Sequence, residues 1–213
     1  MDTRQALRKK LKVRRNNLSA DEQRLASHAV KNRLLNHPSF QKSQHIAAYL
    51  SINNEIDPRR LIEEIWQHGK YCYLPVVIEK KLIFIRYKPT TALKKNHLGV
   101  LEPDLSPTTT IQTNELDLVL VPLLGFTQQG QRLGMGGGAY DRSFSFLLTK
   151  NRPPTPQLIG LAYEWQKLTG FEKKPWDTPL DAIITEQHTY CIDHRSRLTK
   201  NSLPQGEKPR LSS

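Results

Sequence analysis

Two spacings of apolar residues run through the chain. Compact runs at residues 46–50 (IAAYL), 82–87 (LIFIRY), 116–121 (LDLVLV) and 158–163 (LIGLAY) lie between polar stretches and have the length of buried strands. Elsewhere the apolar positions recur at helical spacing, as on a helix with one buried face. Leu7 and Leu11 form a narrow stripe in a basic helix over residues 3–16. Ser19-Ala-Asp-Glu22 has capping-box spacing and opens a second helix, carried by Leu25, Ala29 and Leu34 until His37-Pro38 stops it. A strand predicted over residues 45–50 leads through the polar turn 51–57 into a helix with Asp57 as N-cap and Pro58 in first position. Leu61, Ile62, Ile65 and Trp66 share one face of that helix, which ends at Gly69. Residues 71–77 resume strand character and complete a βαβ unit. Further strands are predicted over 82–87, 116–120, 158–163 and, last, 182–185, with a short helix over 140–148. Residues 88–114, rich in Pro and Thr, read as a long surface excursion.

This alternation predicts an α/β fold of one domain: a mainly parallel, Rossmann-like three-layer sheet with helices on both faces, preceded by an N-terminal helical pair. Ligands of such sheets bind at the carboxyl ends of the strands. A length of 213 residues suits a single catalytic domain, assigned to 1–194. Residues 195–213, dominated by Ser, Pro, Lys and Gly, read as a disordered basic tail.

Charge first suggests nucleic acid, since the net value is +12. Its distribution argues otherwise. Residues 1–15 carry seven Lys or Arg against Asp2, and residues 194–213 carry five against Glu207, which leaves only +2 for all the rest. A nearly neutral core with basic ends does not suit a dedicated nucleic-acid partner, and an anionic small substrate accounts for part of the basicity equally well. The first twenty residues lack an apolar core segment, and the longest apolar run is interrupted by Pro122. The expectation is a cytoplasmic, monomeric protein with no membrane partner. Two cysteines without C-x-x-C spacing and seven histidines without H-E-x-x-H spacing offer no zinc or redox motif.

The chemistry concentrates at Gly134-Met135-Gly136-Gly137-Gly138. Clustered glycine costs chain entropy unless the backbone must adopt positive φ or approach a ligand closely. Exposed N–H groups in such a loop, followed by a helix start, cradle phosphate oxygens, although a flexible turn has the same composition. A Walker loop is excluded, because Gly69-Lys70 is followed by Tyr71 and has Glu64 where the first glycine belongs. Gly134-x-Gly136-x-x-Ala139 fits the dinucleotide fingerprint in letters only, since it begins well after the strand ending near Val121. Arg132 before the loop and Tyr140-Asp141 after it add a cation, an aromatic platform and a carboxylate, the parts of a Mg-nucleotide site.

Arg132 to Arg142, RLGMGGGAYDR, resembles the signature of the 5-formyltetrahydrofolate cyclo-ligases, also called 5,10-methenyltetrahydrofolate synthetases. LRKKLKVRRNNLSADEQ from Leu7, AAYLSINNEID from Ala47, DLVLVPLLGF from Asp117, IGLAYEWQ from Ile159 and PWDTPLDAIITE from Pro175 also resemble family segments in family order. The resemblance implies ATP contacts from Arg4, Arg8 and the run Arg132, Leu133, Gly134, Met135, Gly136, Gly137, Gly138, Ala139 and Tyr140. It implies folate contacts from Leu50, Glu55 and Tyr140, Mg²⁺ ligation by Asp141 and Asp177, and catalytic roles for Arg132 and Tyr140. The implied reaction joins 5-formyltetrahydrofolate and ATP to give 5,10-methenyltetrahydrofolate, ADP and phosphate through a phosphorylated formyl (imidate) intermediate. Several positions depart from the family pattern. Arg4 stands for a lysine, Met135 and Gly137 for an arginine and a lysine in many members, Ala139 for an aromatic, Thr127 for an aspartate and Trp176 for a histidine. A phosphosugar-binding relative on a similar scaffold is the competing enzyme class, because a fold alone does not fix chemistry.

Overall fold

A computed structural model describes residues 3–96, 99–104, 110–149 and 151–193, so the predicted tail lies outside the described residues. Helix α1 (Arg4–Asn16) starts behind Thr3, whose hydroxyl accepts the Ala6 N–H. Helix α2 (Ala20–Leu35) begins with the predicted capping box, in which Ser19 and Glu22 satisfy each other's backbone N–H. Pro38 does not simply end this segment; it opens a short helix α3 (Pro38–Lys42), capped by His37 Nδ1 on the Ser39 N–H. Strand β1 is only His45–Ala47, shorter than its apolar run, because the chain turns away at the sheet's carboxyl edge. Helix α4 (Arg59–Gln67) starts one residue later than predicted: Pro58 takes the N-cap position, and Asp57 accepts the Arg59 N–H at 3.0 Å.

Strand β2 (Tyr71–Ile78) lies parallel to β1, as the βαβ reading requires, but β3 (Lys81–Tyr87) returns antiparallel. Glu79 and Lys80 both carry positive φ, 47° and 66°, the conformation of a tight two-residue hairpin. The few residues between the two apolar runs are too short for a parallel crossover, so the connection length itself requires the hairpin. The predicted excursion contains a hairpin, β4 (Leu93–Lys95) with β5 (Leu101–Pro103), and a short strand β6 (Thr110–Ile111) that pairs with β3. Strand β7 (Leu118–Pro122) is followed by a small hairpin, β8 (Gly125–Phe126) with β9 (Arg132–Leu133), immediately before the glycine loop. The helix predicted over 140–148 breaks into α5 (Ala139–Ser143) and a 3₁₀ turn at Ser145–Leu148. Strands β10 (Gln157–Leu161) and β11 (Ala182–Ile184) follow, and β12 (Thr189–Cys191), unpredicted, folds back antiparallel on β11.

The main sheet runs in the order β12-β11-β10-β7-β1-β2-β3-β6. Its centre, β11-β10-β7-β1-β2, is parallel. One face packs Ala26, Val30 and Leu34 of α2, Phe40 of α3 and Leu61, Ile62 and Ile65 of α4 against Ile46, Leu118, Leu120 and Ile159. The other packs Phe144 and Leu147 against Ala47, Val119, Val121 and Leu158. Both faces are therefore covered, and the near-continuous apolar character of the central strands follows. The two N-terminal helices part company: α2 joins the sheet, whereas Leu7 and Leu11 of α1 form a separate cluster with Leu124, Leu133 and Phe171 over the carboxyl end of β7. Among the described residues no helix is long and apolar enough to cross a membrane.

The loops after β10 and β11 are tied by Glu164, whose carboxylate receives Tyr190 OH at 2.5 Å, Thr185 Oγ1 at 2.7 Å and Lys167 Nζ at 3.1 Å. Burial alone would raise its pKa, but these bonds outweigh burial and press it down to about 2. A carboxyl depressed on folding stabilises the native state above its unfolded pKa and loses that contribution as pH falls through the folded value. Glu164→Gln is therefore expected to lower the melting temperature at neutral pH, with the difference from wild type shrinking between pH 4.5 and 2, as thermal denaturation across that range would record.

Candidate active site

At β1 and β7 the crossovers leave in opposite directions: β1 connects through α4 to β2, and β7 through α5 to β10. A crevice must open between the two carboxyl ends, the usual ligand position in such sheets. The turn after β1 is held from three sides. Asn54, at φ 56°, points its amide at the carbonyls of Arg15, Asn16 and Leu18, so it closes the end of α1. Tyr163 OH donates to Asn54 O at 2.9 Å and Tyr49 OH to Ile56 O at 2.8 Å. Gln23 Nε2 donates to Glu55 O at 2.7 Å. The polar turn is thus rigid, and it delivers Glu55 to the cleft wall, 5% exposed. Ile52 N–H and Arg15 Nη1 each lie 3.2 Å from the Glu55 carboxylate. Burial raises the Glu55 pKa, and Arg15 opposes that rise.

The chain beyond β7 supplies the opposite wall. Thr127, buried, closes the β8–β9 hairpin by donating its N–H to Gln131 O and accepting the Gly130 N–H on its carbonyl and the Gln131 N–H on its hydroxyl. The glycine loop then adopts positive φ at Gly136 (110°) and at Gly138 (66°), the N-cap of α5. A Cβ on Gly134 would sit 2.9 Å from Arg132 Nη1, whereas one on Gly137 would meet nothing within 4 Å. Arg8 Nε donates to Gly134 O at 2.9 Å, which lays the α1 guanidinium across the loop. With α5 only five residues long, the local cations outweigh any helix dipole here.

The resulting cleft, about 340 Å³, is lined by Arg4, Arg8, Arg132 and Lys174, by Glu55, Asp141 and Asp177, and by the glycines with Met135, Ala139, Tyr140 and Trp176. Four of these seven charges are paired within the cleft. Arg132 Nη2 lies 2.6 Å from Asp141 Oδ1, and Arg4 binds Asp177 through two nitrogens at 2.5 and 3.2 Å while its guanidinium covers the Phe171 ring. Asp177 is buried and also accepts the Lys174 N–H. The Thr178 N–H reaches Asp141 Oδ1 at 3.2 Å, which brings the two aspartate segments together. The Arg132 guanidinium is 5.5 Å from the centroid of the Tyr140 ring. Burial lifts the Tyr140 pKa far above neutrality, so the phenol is a donor and a platform, not a base. Two predicted residues stand elsewhere. Leu133 turns its side chain into the α1 cluster. Leu50 lines a neighbouring hollow with Trp66, Tyr87 and Leu93 and does not line the cleft that holds Glu55.

The profile of the 5-formyltetrahydrofolate cyclo-ligase family matches residues 1–186. The chain belongs to this family. It is 37% identical over 184 residues to the 5-formyltetrahydrofolate cyclo-ligase of Haemophilus influenzae, covering 85% of this chain and 96% of the relative. The Escherichia coli K12 enzyme of the same name is 33% identical over 179 residues, covering 82% and 96%. The NMR structure of Aquifex aeolicus 5,10-methenyltetrahydrofolate synthetase superposes with a TM-score of 0.75 at 31% identity, covering 89% of this chain and 92% of that one. The corresponding protein of Mycoplasma pneumoniae gives 0.68 at 31% identity, covering 87% and 99%.

Within this cyclo-ligase frame, sequence reasoning overlooked Arg15, Lys174 and Gln166. Lys174 lines the cleft from the segment before Asp177. Gln166 donates to the carbonyls of Leu123 and Leu124 and so shapes the chain leaving β7. Arg15 was one basic residue among seven in α1, yet its side chain is 1% exposed. Only its i+4 spacing from Leu11, on the stripe of Leu7 and Leu11, marked it as inward-facing. Arg8 lies beside the loop, its guanidinium 3.8 Å from where a Cβ on Gly136 would stand. Gly136→Val and Gly138→Val are expected to cost about 1–3 kcal/mol through strained positive φ. Gly137→Ala, where a Cβ has room, is expected to leave the melting temperature within about a degree of wild type; thermal denaturation of the three variants checks the contrast.

Proposed function

We propose that this chain cyclises 5-formyltetrahydrofolate to 5,10-methenyltetrahydrofolate, with ATP converted to ADP and phosphate. The observation that carries the reading is the composition of one cleft: four cations and a glycine backbone face three carboxylates, with Glu55 on the wall formed by the turn after β1. The substrate's formyl oxygen attacks the γ-phosphorus and ADP leaves, giving an imidate phosphate. N10 then attacks the formyl carbon, the C–O bond breaks, and phosphate departs while the N10 proton passes to water. No protein nucleophile is needed, so the chain's task is alignment and neutralisation of charge.

Arg132, Arg8, Arg4 and Lys174 face the phosphates in this reading, and Tyr140 donates from its neutral phenol. Glu55 accepts the N–H edge of the pterin. Asp141 and Asp177 offer hard oxygen donors on adjoining segments, which fits a small divalent cation completed by phosphate oxygens and water. Bound there, Mg²⁺ would neutralise phosphate charge. Among the described residues no cluster of three His, Cys, Asp or Glu forms a metal site by itself, consistent with a site that the nucleotide completes. Each aspartate is released from its arginine as the arginine turns to phosphate, so no buried charge is left alone.

Mixing the protein with 5-formyltetrahydrofolate and Mg-ATP should produce the methenyl absorbance with one phosphate per turnover; no ATP-dependent product would reject the reading. Asp141→Asn is expected to raise the Mg²⁺ concentration for half-maximal rate about tenfold or more, and an unchanged requirement removes the metal assignment. Glu55→Gln is expected to raise the folate KM by about tenfold or more with ATP affinity retained.

A further inference from the structure

Arg15 stands behind the cleft, not in it. Its guanidinium is 1% exposed, and its closest polar partner is Glu55 Oε1 at 3.2 Å. Its other contacts are long: Leu123 O at 3.5 Å and the Met135 sulfur at 4.0 Å, while Nε has no hydrogen-bond partner. A planar fork of five donors that uses so few of them is poorly explained as a stability device, since apolar replacement of a buried ion pair is often neutral or stabilising. What the fork does touch is informative. It joins the carboxylate of the turn after β1 to the residue at the tip of the glycine loop, from the one helix that also sends Arg4 and Arg8 into the cleft.

We propose that Arg15 is a positioning residue for the folate: it holds Glu55 ionised and aligned, with one oxygen backed by the guanidinium and the other by Ile52 N–H, so that the carboxylate presents its remaining lone pairs to the pterin. The inference rests on the proposed role of Glu55 in folate recognition. A carboxylate offers acceptors to two parallel N–H groups, whereas its protonated form replaces one of those acceptors with a donor. Burial drives Glu55 toward the protonated form, and the Arg15 charge is what opposes it. The other groups facing Glu55 are Tyr49 after β1, Tyr163 after β10 and Tyr140 of α5, all kept neutral by burial. Gln23 of α2 contributes only an amide to the backbone of the same turn, and Asp57 in that turn is paired with Arg59.

The test measures 5-formyltetrahydrofolate binding and ATP binding separately, by equilibrium titration between about pH 5 and 9, for wild type, Arg15→Met, Arg15→Lys, Glu55→Gln and Arg15→Met/Glu55→Gln. Arg15→Met should weaken folate binding about tenfold or more at neutral pH and move its acid limb upward by about one pH unit or more. ATP affinity should change by less than about threefold and thereby report an intact fold. Arg15→Lys keeps the charge without the fork, so its acid limb should stay near wild type while affinity falls. The double variant should bind folate no more weakly than Glu55→Gln alone, because Arg15 acts through Glu55. An unmoved acid limb in Arg15→Met, additive losses in the double variant, or equal loss of ATP and folate affinity in Arg15→Lys would each overturn the proposal. Should Arg15→Met fail to fold, the acid limb and the ATP-to-folate ratio of Arg15→Lys decide. If wild type itself does not bind 5-formyltetrahydrofolate, the proposed function fails; if wild type binds and the Arg15 variants match it, only the role of Arg15 fails.

Discussion

Strands β1 and β7 lie side by side, parallel, and are followed by connections that leave in opposite directions. At their amino ends the pair is buckled: the Asp117 carboxylate accepts the N–H groups of both Gln44 and His45 at 2.8 Å. Ile46 and Ala47 then stand in register with Leu118 and Val119. With the strands locked at one end and the crossovers diverging at the other, a crevice between turn 51–57 and the chain after Pro122 is unavoidable. The cleft is lined from both departing chains, and α1 is drawn over it because Leu7 and Leu11 find apolar partners in Leu124, Leu133 and Phe171. That packing brings Arg4 and Arg8 to a glycine loop more than a hundred residues further along.

A site built for polyanions has to hold its cations together while the ligand is away. This one does so by pairing them: Arg4 with Asp177 and Arg132 with Asp141, with short contacts in partly water-excluded surroundings. Truncating one partner of such a pair costs far more than the pair contributes, because it strands the other charge; about 3–5 kcal/mol is typical in a buried setting. The same logic explains why exchange of partners suits nucleotide binding. In the proposed function, cation and anion would each gain a new opposite charge on losing the old one, so the cleft would pass between two neutralised arrangements. Tyr140 and Trp176 add ring faces at the loop and at the rim.

Arg15 and Glu55 show the same economy at greater depth. The pair lies where α1, the turn after β1 and the glycine loop converge, and Asn54 ties that turn to the carbonyls at the end of α1. Disturbing α1 therefore disturbs the Glu55 wall and the glycine-loop wall of the cleft together. A helix that looks like a basic decoration is structurally part of both, and its apolar stripe is what makes its charged face useful.

Much of this was legible in the sequence. Apolar runs located the central strands, because a parallel strand buried on both faces has little room for polar residues. The capping box at Ser19 and the glycine stop at Gly69 marked helix ends through local backbone chemistry. Clustered glycines between Arg132 and Asp141 marked a loop that lines the cleft, and the family resemblance nominated Glu55, Asp141 and Asp177, which the fold brings into the same cleft. Tertiary structure decided the rest. The helix after the glycine loop breaks at Ser143, whose hydroxyl accepts the Leu82 N–H of β3, a contact with no periodic signal. Leu50 and Glu55 are five positions apart yet line different hollows, because the turn between them reverses the chain. Arg15 is indistinguishable by composition from the exposed Lys9 and Lys10, and only the seating of α1 buries it against Glu55. Local chemistry and periodicity determined which segments fold and where the glycine loop lies; which charges meet was decided by packing, since contacts between residues distant in the chain leave no imprint on the spacing of either segment.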